Sequence, residues 1–382
     1  MGKRTAIVVG AGIVGLAMAR ALAIKGYAVR VFERTHQAVG ASIRNFGMIW
    51  PIGQPAGKLY ERAIKSRNIW REIAERGAIS CNNCGSLHLA YHEDEWIVLQ
   101  ELYKAFHAEG RDVSLLNPAR TLEASPAVAE KNLLGALWCA EELIIDPREA
   151  IGALPQFLTE EYGVEFVWGN CVTRTGTSSV WVGGQLHRAD LVFICSGADF
   201  ETLYPEEFSK FPFTKCKLQM LRLTAQPDGW KIGPAICGGL SLVHYKSFAA
   251  AESLPILKKR YELEMGEFLK WGIHVMVSQN LKGELTIGDS HEYAPTHDPF
   301  DKAFINKMIL DYLTQFASFK DWTLTETWNG IYPKLTNGET DLFFSPEEGV
   351  HIVNGVGGAG MTLSFGLAEE LVESLHLSRS AG

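Results

Sequence analysis

The pattern of apolar and polar positions near the start of the chain changes its period twice. Residues 5–9 form an apolar, β-branched run, residues 13–25 repeat apolar positions at helical spacing, and residues 28–32 are apolar again. Gly26 stands where the helical pattern stops, and glycine commonly ends helices. The pattern predicts a strand, a helix and a strand, which is one βαβ unit of a parallel sheet.

A similar alternation returns after a middle region of different texture. It predicts a helix over residues 146–162, strands at residues 164–167, 190–195 and 350–353 with a loop before residue 190, and a last helix over residues 361–375. Elsewhere, helices are predicted at residues 59–76, 93–109, 254–271 and 300–316, and strands at residues 85–90, 218–224, 273–279 and 284–288. The mixed polarity of these later strands favours an antiparallel sheet.

These elements predict an α/β protein, α+β overall, with a Rossmann-type domain for a nucleotide and a discontinuous, mostly antiparallel domain for the substrate. The nucleotide-binding domain is predicted to comprise residues 1–50, 147–213 and 326–382. The substrate-binding domain is predicted to comprise residues 51–146 and 214–325.

Composition narrows the functions that such a fold can carry. The chain has 382 residues, of which 47% are hydrophobic, and can bury a sizeable core. Its net charge of −8 disfavours a broad electrostatic contact with nucleic acid or with an anionic membrane. An anionic substrate therefore needs a local cluster of positive side chains.

Cysteines and apolar runs bear on compartment and metal binding. The seven cysteines are an odd number, and several lie in apolar runs, which favours a reducing compartment. Cys81 and Cys84 have C-x-x-C spacing, but no second pair follows at zinc-ribbon distance, so no metal site is predicted. The chain lacks a signal-type start and a run of about eighteen apolar residues, so we expect a cytoplasmic protein without membrane insertion.

A glycine-rich turn follows the first predicted strand. Gly10, Gly12 and Gly15 form the G-x-G-x-x-G pattern, and Glu33 follows the second predicted strand. Such glycines let the backbone approach a pyrophosphate at a helix N-terminus, while the carboxylate accepts hydrogen bonds from ribose hydroxyls. The combination favours a dinucleotide site over a glycine turn that binds nothing.

A second glycine-rich turn, at residues 355–360, precedes the last predicted helix. Its backbone amides and the positive helix end suit the N1 and C2-oxygen region of a flavin, where they would stabilise the anion of the reduced form. A simple NAD dehydrogenase has no use for this turn, whereas a tight turn within the sheet is the structural alternative. The second turn favours FAD over NAD.

These features resemble the family of flavin amine oxidoreductases that contains D-amino-acid oxidase, glycine oxidase and sarcosine oxidase. The resemblance extends over nearly the whole chain and includes residues 40–48, residues 189–198 and the terminal glycine turn. It implies FAD held non-covalently. The residues implied to bind it are Gly10, Gly12, Ile13, Val14, Gly15, Glu33, Arg34, Ser42, Arg44, Asn45, Gly47, Met48, Val172, Ser196, Gly197, Gly330, Gly357, Gly358, Gly360, Met361 and Thr362.

One departure from the family concerns the substrate. Members that oxidise amino acids carry an arginine in a W-x-G-x-R-P motif, and its planar guanidinium holds the substrate carboxylate with two hydrogen bonds. Tyr332 replaces that arginine here, so a free α-carboxylate is not expected to bind in the usual way. Gly330 stands where sarcosine oxidases are implied to place a flavin-linking cysteine, which excludes that linkage at this position.

Several runs are similar to a branch of the family associated with bacterial phosphonate utilisation, which implies an aminophosphonate substrate. They are residues 44–54, 217–220, 244–248, 271–279 and 288–293. A ring of donors suits the three oxygens of a phosphonate as well as one guanidinium does. The candidate catalytic or substrate-binding residues are Arg44, Met48, His244, Tyr245, His274 and Tyr332.

The candidates also have structural interpretations. If His244 and Tyr245 lie on a strand, alternation points only one of them into the site. The alternative interpretation of Arg44 is an ion pair with a phosphate of FAD or with Glu33. Lys246 is interpreted as a solvated surface residue. His274 falls where glycine oxidases are implied to place a tyrosine that faces the substrate.

The reaction implied is hydride transfer from the carbon of a neutral primary or N-methyl amine to flavin N5, after which the imine is hydrolysed to a carbonyl. With 2-aminoethylphosphonate or its N-methyl form, the product is phosphonoacetaldehyde. Both oxygen and another electron acceptor are compatible with the resemblance, because Thr286 stands where sarcosine oxidases are implied to keep an oxygen-activating lysine, whereas glycine oxidases are implied to need none there. The alternatives are a glycine, sarcosine or D-amino-acid oxidase, a flavin monooxygenase with its Gly-Asp turn, and a flavoprotein without catalytic activity.

Overall fold

The computed structural model of the protein describes residues 3–380, and the side chains of residues 3–376. Residues 1, 2, 381 and 382, which the predicted domain bounds include, lie outside the described residues.

The helices, numbered along the chain, are α1 (Ile13–Ile24), α2 (Lys58–Glu75), α3 (Glu93–Ala108), α4 (Pro118–Ala124), α5 (Pro147–Tyr162), α6 (Pro205–Phe208), α7 (Leu254–Glu264), α8 (Gly266–Lys270), α9 (Ala303–Leu313) and α10 (Gly360–Ser380). Six helices match predicted ones, namely α1, α2, α3, α5, α9 and α10, while α4 and α6 were not predicted. The predicted helix over residues 254–271 is wrong as a single element, because Met265 leaves the helical region at φ −123° and separates α7 from α8.

The strands, numbered along the chain, are β1 (Thr5–Val9), β2 (Ala28–Glu33), β3 (Met48–Ile49), β4 (Cys81–Asn82), β5 (Ser86–Ala90), β6 (Val113–Leu116), β7 (Gly135–Cys139), β8 (Leu143–Ile145), β9 (Glu165–Trp168), β10 (Val172–Gly176), β11 (Ser179–Val182), β12 (Gln185–Arg188), β13 (Leu191–Ile194), β14 (Phe213–Leu223), β15 (Ala235–Cys237), β16 (Met276–Gln279), β17 (Leu285–Gly288), β18 (Glu292–Ala294), β19 (Leu324–Leu335), β20 (Leu342–Glu347) and β21 (Val350–Asn354).

A six-stranded sheet contains the elements of the predicted βαβ unit. Its order is β20-β21-β13-β1-β2-β9, and all of its pairs are parallel except β20 with β21. The carboxyl ends of β1, β13 and β21 therefore lie side by side, and both glycine-rich turns begin at this edge. In open parallel sheets, this is the edge at which ligands bind.

The large sheet is mostly antiparallel, as the sequence predicts. Its order is β18-β14-β17-β16-β15-β5-β7-β6, with β19 also paired to β14. Only β15 and β5 are parallel neighbours within this described sheet. Strand β19, most of which lies in a segment predicted for the nucleotide-binding domain, pairs with β14 along nearly its whole length.

Two small sheets were not predicted. Strands β10, β11 and β12 form an antiparallel sheet where the sequence indicates a loop. The turn between β11 and β12 contains Gly183 and Gly184, both at positive φ, as a tight hairpin turn requires. Strand β8 pairs with β3 and β4 and joins the segment after β2 to the rest of the molecule.

Apolar side chains form two large cores. One packs α1, α5 and α10 against the parallel sheet, and the other packs α3, α7 and α9 against the large sheet. Within residues 3–380, no helix has both the length and the apolar character that crossing a membrane requires.

Candidate active site

A cavity of about 320 Å³ lies where the carboxyl edge of the parallel sheet faces the large sheet. Many of the predicted site residues line it. They are Ile13, Val14, Ser42, Arg44, Asn45, Met48, Gly197, His244, Tyr245, His274, Gly330, Tyr332, Gly357, Gly358, Gly360, Met361 and Thr362. Residues from opposite ends of the chain thus share one wall, because β1 and β21 both flank β13 in the sheet.

The first glycine turn brings the N-terminus of α1 to this cavity. Gly10 has φ +102°, and its amide donates to Phe32 O at 2.8 Å. A Cβ at Gly15 would lie 1.9 Å from the Gly10 carbonyl oxygen, and a Cβ at Gly12 would lie 3.1 Å from Ser42 Oγ. The turn is therefore closed so tightly that only glycine fits at positions 10 and 15.

The hydroxyl of Ser42 occupies part of the helix end. It accepts a hydrogen bond from the Ile13 amide at 2.9 Å. Asn45 braces the same loop, since its Nδ2 donates to Ala41 O and Ser42 O and its Oδ1 accepts from Gly47 N. The loop that precedes β3 is thus held against the start of α1 by side chains of its own sequence.

Five of the predicted cofactor residues lie beside the turn or further along the sheet. Glu33 accepts from the amides of Ala11 and Thr35 at 2.9 and 3.0 Å. Arg34 forms an ion pair with Asp199 at 2.6 Å. The Ser196 hydroxyl donates to Asp199 O, and Val172 is buried at the start of β10. A Cβ at Gly47 would lie 1.9 Å from Ile145 O.

The second glycine turn brings the N-terminus of α10 to the same cavity. Thr362 Oγ1 accepts from the Trp50 amide at 3.0 Å, and Met361 O accepts from Trp70 Nε1 at 2.8 Å. A Cβ at Gly360 would lie 3.5 Å from Ile13 Cγ2, so the two helix ends are neighbours. Two positive helix ends at one cavity suit an anionic ligand.

Arg44 also lines the cavity, but it does not pair with Glu33 as the alternative interpretation had it. Its Nε donates to Val39 O at 2.9 Å, and its Nη1 donates to Asn329 O at 3.0 Å. These bonds tie the loop before β3 to strand β19. The carboxylate of Glu33 is instead used by backbone amides and by the Thr35 hydroxyl.

The large sheet supplies a wall of aromatic rings. The expectation that only one of His244 and Tyr245 enters the site is wrong, because they lie not on a strand but between two 3₁₀ turns, Gly239–Val243 and Lys246–Ala250. Strand alternation does not apply there, and both side chains face the cavity. The Tyr245 hydroxyl lies 3.3 Å from Met276 Sδ.

Three imidazoles meet at this wall. The ring centroid of His244 lies 3.7 Å from that of His274 and 4.8 Å from that of His291. Asp289 is adjacent, with Oδ1 3.3 Å from His274 Nε2 and Oδ2 3.8 Å from His291 Nε2. The backbones of His274 and Asp289 exchange two hydrogen bonds across neighbouring strands, which explains why these side chains meet.

Burial decides the charge of this cluster. It is the largest cause that lowers the pKa of His244 and His274 well below the usual value and the pKa of His291 to about 4. It also raises the pKa of the Asp289 carboxyl well above its usual value. His244 is exposed only on the side of its ring that faces the cavity. Its other sides contact the rings of Tyr245, His274 and His291.

Positive charge lies elsewhere along the cavity. Lys334 is half-buried, and its Nζ donates to the Tyr293 hydroxyl at 2.9 Å. Burial, followed by the smaller influence of Lys246, lowers the pKa of Lys334. Lys246 is exposed, as interpreted from the sequence, yet it lines the cavity and donates to Gly338 O at 2.6 Å.

Tyr332, Gly330 and Met48 complete the lining. Tyr332 is buried on β19, and burial is the main reason that its pKa is well above the usual value. Its Oη lies 3.4 Å from the Cβ position of Gly358 in the second glycine turn. Gly330 packs closely on Arg44, and Met48 is buried on β3.

His291 and Lys334 are not among the predicted site residues, and Asp289 enters the predictions only through the Gly-Asp turn of a monooxygenase. His291 and Asp289 stand in residues 288–293, one of the runs that carry the resemblance. The pairing of β16 with β17 and of β14 with β18 is what carries this run to the cavity. Lys334 follows Tyr332 by two positions on one strand, which was a usable signal once that strand was recognised.

The residues present fit the FAD that the resemblance implies. The glycine turn leaves no room for a Cβ at Gly10 or Gly15, and Glu33 is fixed at the end of β2 beside that turn. The helix ends at Ile13 and Gly360 offer backbone amides to phosphate and to flavin oxygen atoms. The donor set therefore matches a long, anionic dinucleotide.

Comparisons with known proteins agree with this geometry. Residues 5–374 match the family model described as "DAO: FAD dependent oxidoreductase". The fold is similar to glycine oxidase from Geobacillus kaustophilus, with a TM-score of 0.75 and 21% identity over 97% of this chain and 94% of that one. It is also similar to L-proline dehydrogenase from P. horikoshii, with a TM-score of 0.77 and 20% identity over 98% and 93% of the two chains.

A curated relative shares part of the sequence. The tRNA 5-methylaminomethyl-2-thiouridine biosynthesis bifunctional protein MnmC of Pseudomonas aeruginosa is 27% identical over 246 residues, which is 62% of this chain. The match spans 36% of the length of that relative.

Proposed function

The chain belongs to the DAO family of FAD-dependent oxidoreductases, and on this premise we propose that it oxidises the C–N bond of an amine that carries an anionic group. The proposed substrate is an aminophosphonate, such as 2-aminoethylphosphonate or its N-methyl form, and the product is phosphonoacetaldehyde. The resemblance of five sequence runs to the phosphonate-utilisation branch supports this choice of anion.

The observation that carries the proposal is the charge of the cavity lining. Arg44, Lys246 and Lys334 all line the cavity. Asp289 is the one carboxyl among the described lining residues, so positively charged side chains outnumber negatively charged ones there. The cavity therefore attracts an anion although the whole chain has a net charge of −8.

The hydrogen-bonding groups also favour a phosphonate over a carboxylate. Tyr332 stands in place of the arginine that binds a carboxylate bidentately in the resembling family. Its hydroxyl is kept neutral by burial, so it offers a single donor. Separate donors from the Tyr332 hydroxyl and the Lys334 ammonium, two positions apart on β19, suit the tetrahedral oxygens of a phosphonate.

The chain contributes orientation and electrostatics to the reaction. Bound FAD supplies the acceptor for the hydride that leaves the amine-bearing carbon. The N-terminal end of α10, at Gly360, stabilises negative charge that develops beside it. Met48 and Tyr245 close the apolar part of the cavity and position the carbon chain of the substrate. We propose oxygen or another compound as the final electron acceptor.

Two other functions are alternatives to the proposed oxidation of an aminophosphonate. A glycine, sarcosine or D-amino-acid oxidase is the nearer alternative, and the fold similarity to a glycine oxidase supports it. A flavin monooxygenase is less well supported, because its Gly-Asp turn would have to be Gly288-Asp289. That pair lies at the end of β17 beside the histidines, remote from both glycine-rich helix starts along the chain.

The experiment is anaerobic reduction of the purified holoprotein, followed by the loss of flavin absorbance at about 450 nm. The amines to compare are 2-aminoethylphosphonate, its N-methyl form, β-alanine, propylamine, glycine and sarcosine. β-Alanine keeps the chain length and replaces phosphonate by carboxylate, while propylamine removes the charge. We expect rapid reduction by the aminophosphonates alone. Faster reduction by glycine or sarcosine would overturn the substrate proposal.

A variant tests the role of the positive lining. Lys334→Met should raise the concentration of aminophosphonate for half-maximal reduction on the order of 10-fold, since it removes a charge-assisted hydrogen bond. Lys307→Met is the matched control, because Lys307 is an exposed residue of α9 whose ion pair is with Asp311. An equal effect of both variants would contradict a local role for Lys334.

A further inference from the structure

Three imidazoles meet at the wall of the cavity formed by the large sheet, and one carboxyl lies beside two of them. The coordinating atoms of His244, His274 and His291 all lie within 4.8 Å of one another. Asp289 adds an oxygen 3.3 Å from His274 Nε2 and another 3.8 Å from His291 Nε2. Three of these four side chains are at least nine-tenths buried, with exposures of 3% for His274, 5% for Asp289 and 6% for His291.

Polar atoms of this cluster lack partners within the described part of the chain. Both ring nitrogens of His274 and Oδ1 of Asp289 are buried without a hydrogen bond, although the two side chains are adjacent. A buried polar atom without a partner costs free energy comparable to a lost hydrogen bond. A bound ligand that interacts with several of these atoms at once would therefore stabilise the cluster.

The orientation of His291 indicates which kind of occupant. Its Nδ1 lies 3.0 Å from Gly272 O, and a carbonyl oxygen only accepts, so Nδ1 carries the proton and donates. Nε2 then presents its lone pair on the side of Asp289 and the other rings. Histidines that bind metals are commonly oriented in this way, by donating the other ring N–H to a backbone carbonyl.

We propose that His244, His274, His291 and Asp289 form a binding site for one divalent transition-metal ion, with zinc as the ion of reference. Imidazole nitrogen with carboxylate oxygen is a donor set that suits Zn²⁺ and Fe²⁺ and disfavours Mg²⁺ and Ca²⁺. Two nitrogens on one tetrahedral zinc are about 3.4 Å apart at Zn–N distances of about 2.05 Å. The rings therefore close by about 1 to 1.5 Å on binding, and the exposed ring of His244 has room to move.

The cavity position gives the ion a role. With four protein ligands, the ion accepts an anionic oxygen of the substrate by becoming five-coordinate, on the side of the space that His244, Tyr332 and Lys334 line. This role rests on the proposed function, whereas the metal site itself does not. The ion then anchors the phosphonate end, while the amine end is directed toward the glycine turns.

Metal binding is tested on the purified, FAD-loaded protein after treatment with a chelator and dialysis. Titration with Zn²⁺ in a calorimeter should show one saturable site per chain, and Cu²⁺ bound in its place should give nitrogen couplings in its paramagnetic resonance spectrum. His274→Gln and Asp289→Asn should each weaken Zn²⁺ binding on the order of 100-fold or abolish it. Flavin content and melting temperature show whether each variant is folded.

His107→Gln is the matched control, because it removes an exposed histidine of α3 that stacks on Tyr103 outside the cavity. It should bind Zn²⁺ like the original protein. The absence of a saturable site in the folded holoprotein, or equal binding by the His274 and His107 variants, would overturn the metal site. Zinc binding without any effect on aminophosphonate affinity would retain the site and overturn its role as an anchor.

Discussion

The two walls of the cavity are built from different materials. The wall at the parallel sheet consists of backbone, with the glycine turns before α1 and α10 and the amides that they expose. The wall at the large sheet consists of side chains, with His244, His274, Tyr245 and Tyr332. Polar groups of the first wall are hydrogen-bonded, as the Ile13 amide is to Ser42 Oγ and the Thr362 hydroxyl to the Trp50 amide, whereas several of the second are buried without partners.

Two buried carboxyls, Glu142 and Asp289, differ in whether their oxygens have hydrogen-bond partners. Glu142 is buried in the interior, and both of its oxygens have partners, since they accept from the Ile52 amide at 2.9 Å and from Ser86 Oγ at 3.0 Å. Asp289 lies in the side-chain wall and leaves Oδ1 without a hydrogen bond. A satisfied buried carboxyl serves structure, while an unsatisfied one beside a cavity indicates a ligand.

The largest effect should follow from adding a methyl group to the backbone wall. Gly15→Ala places Cβ 1.9 Å from Gly10 O, so the turn must open and the FAD site is lost. We expect the affinity for FAD to fall more than about 100-fold, which corresponds to about 3 kcal/mol or more of binding free energy. The ratio of flavin to protein after purification measures this loss.

Gly152→Ala is the control for this substitution. Gly152 lies within α5, and its Cβ would meet no atom within 4 Å. Alanine is favoured over glycine in a helix by about 1 kcal/mol, so this variant should keep its flavin and melt at the same or a higher temperature. Retention of FAD by Gly15→Ala would show that the backbone wall tolerates change.

Glu142→Gln tests the satisfied carboxyl by its pH dependence. Burial is the largest cause that raises the pKa of Glu142 from 4.5 to about 7, so the folded state favours the protonated form. The stabilisation is complete below about pH 4.5 and is lost as the pH rises through 7. Glutamine does not titrate, so the variant should gain about 3 kcal/mol of unfolding free energy relative to the original protein between these limits.

Urea unfolding at a series of pH values measures this gain. Glu262→Gln is the control, because Glu262 is exposed on α7, and its substitution should show no such trend. A flat difference between the Glu142 variant and the original protein would mean that the carboxyl is not held in its protonated form by the interior.

Tyr332→Phe should have an intermediate effect that is limited to the side-chain wall. The change removes the hydroxyl, which faces Gly358 across the cavity, and preserves the ring packing. We expect unchanged flavin content and a rise in KM for an aminophosphonate on the order of 10-fold, with kcat changed less. A loss of flavin instead would assign Tyr332 to the cofactor wall.

Lys246→Met should have the smallest effect, because its side chain is exposed at the cavity. We expect kcat/KM for an anionic amine to fall about 3-fold at low ionic strength and to recover in salt, since exposed charges mainly steer encounter and are screened. Steady-state rates at several salt concentrations measure this. An effect that salt does not change would place Lys246 in direct contact with the substrate.

The difference between the walls also explains what could be predicted. The βαβ unit, α10 and the parallel strands β9, β13 and β21 follow from local periodicity, whereas the edge strand β20 was not predicted. The wrong helix over residues 254–271 shows that a single non-helical residue escapes such patterns. Ile13, Val14 and the glycines 357, 358 and 360 were predicted from sequence motifs and resemblance to bind FAD; they line the cavity, and their contact with FAD stays a prediction. Their signal is local because a backbone that must approach a ligand requires glycine at particular positions.

The sequence by itself determined the fold class, the two glycine turns and the carboxylate at the end of the second strand, because each follows from a periodic pattern or a motif within one stretch of the chain. Only the tertiary structure decided that His244, His274 and His291 meet beside Asp289. Strand pairing and two 3₁₀ turns bring these residues together from separate segments. A side-chain wall depends on which strands become neighbours and on how deeply each group is buried, and neither property is encoded in a local pattern.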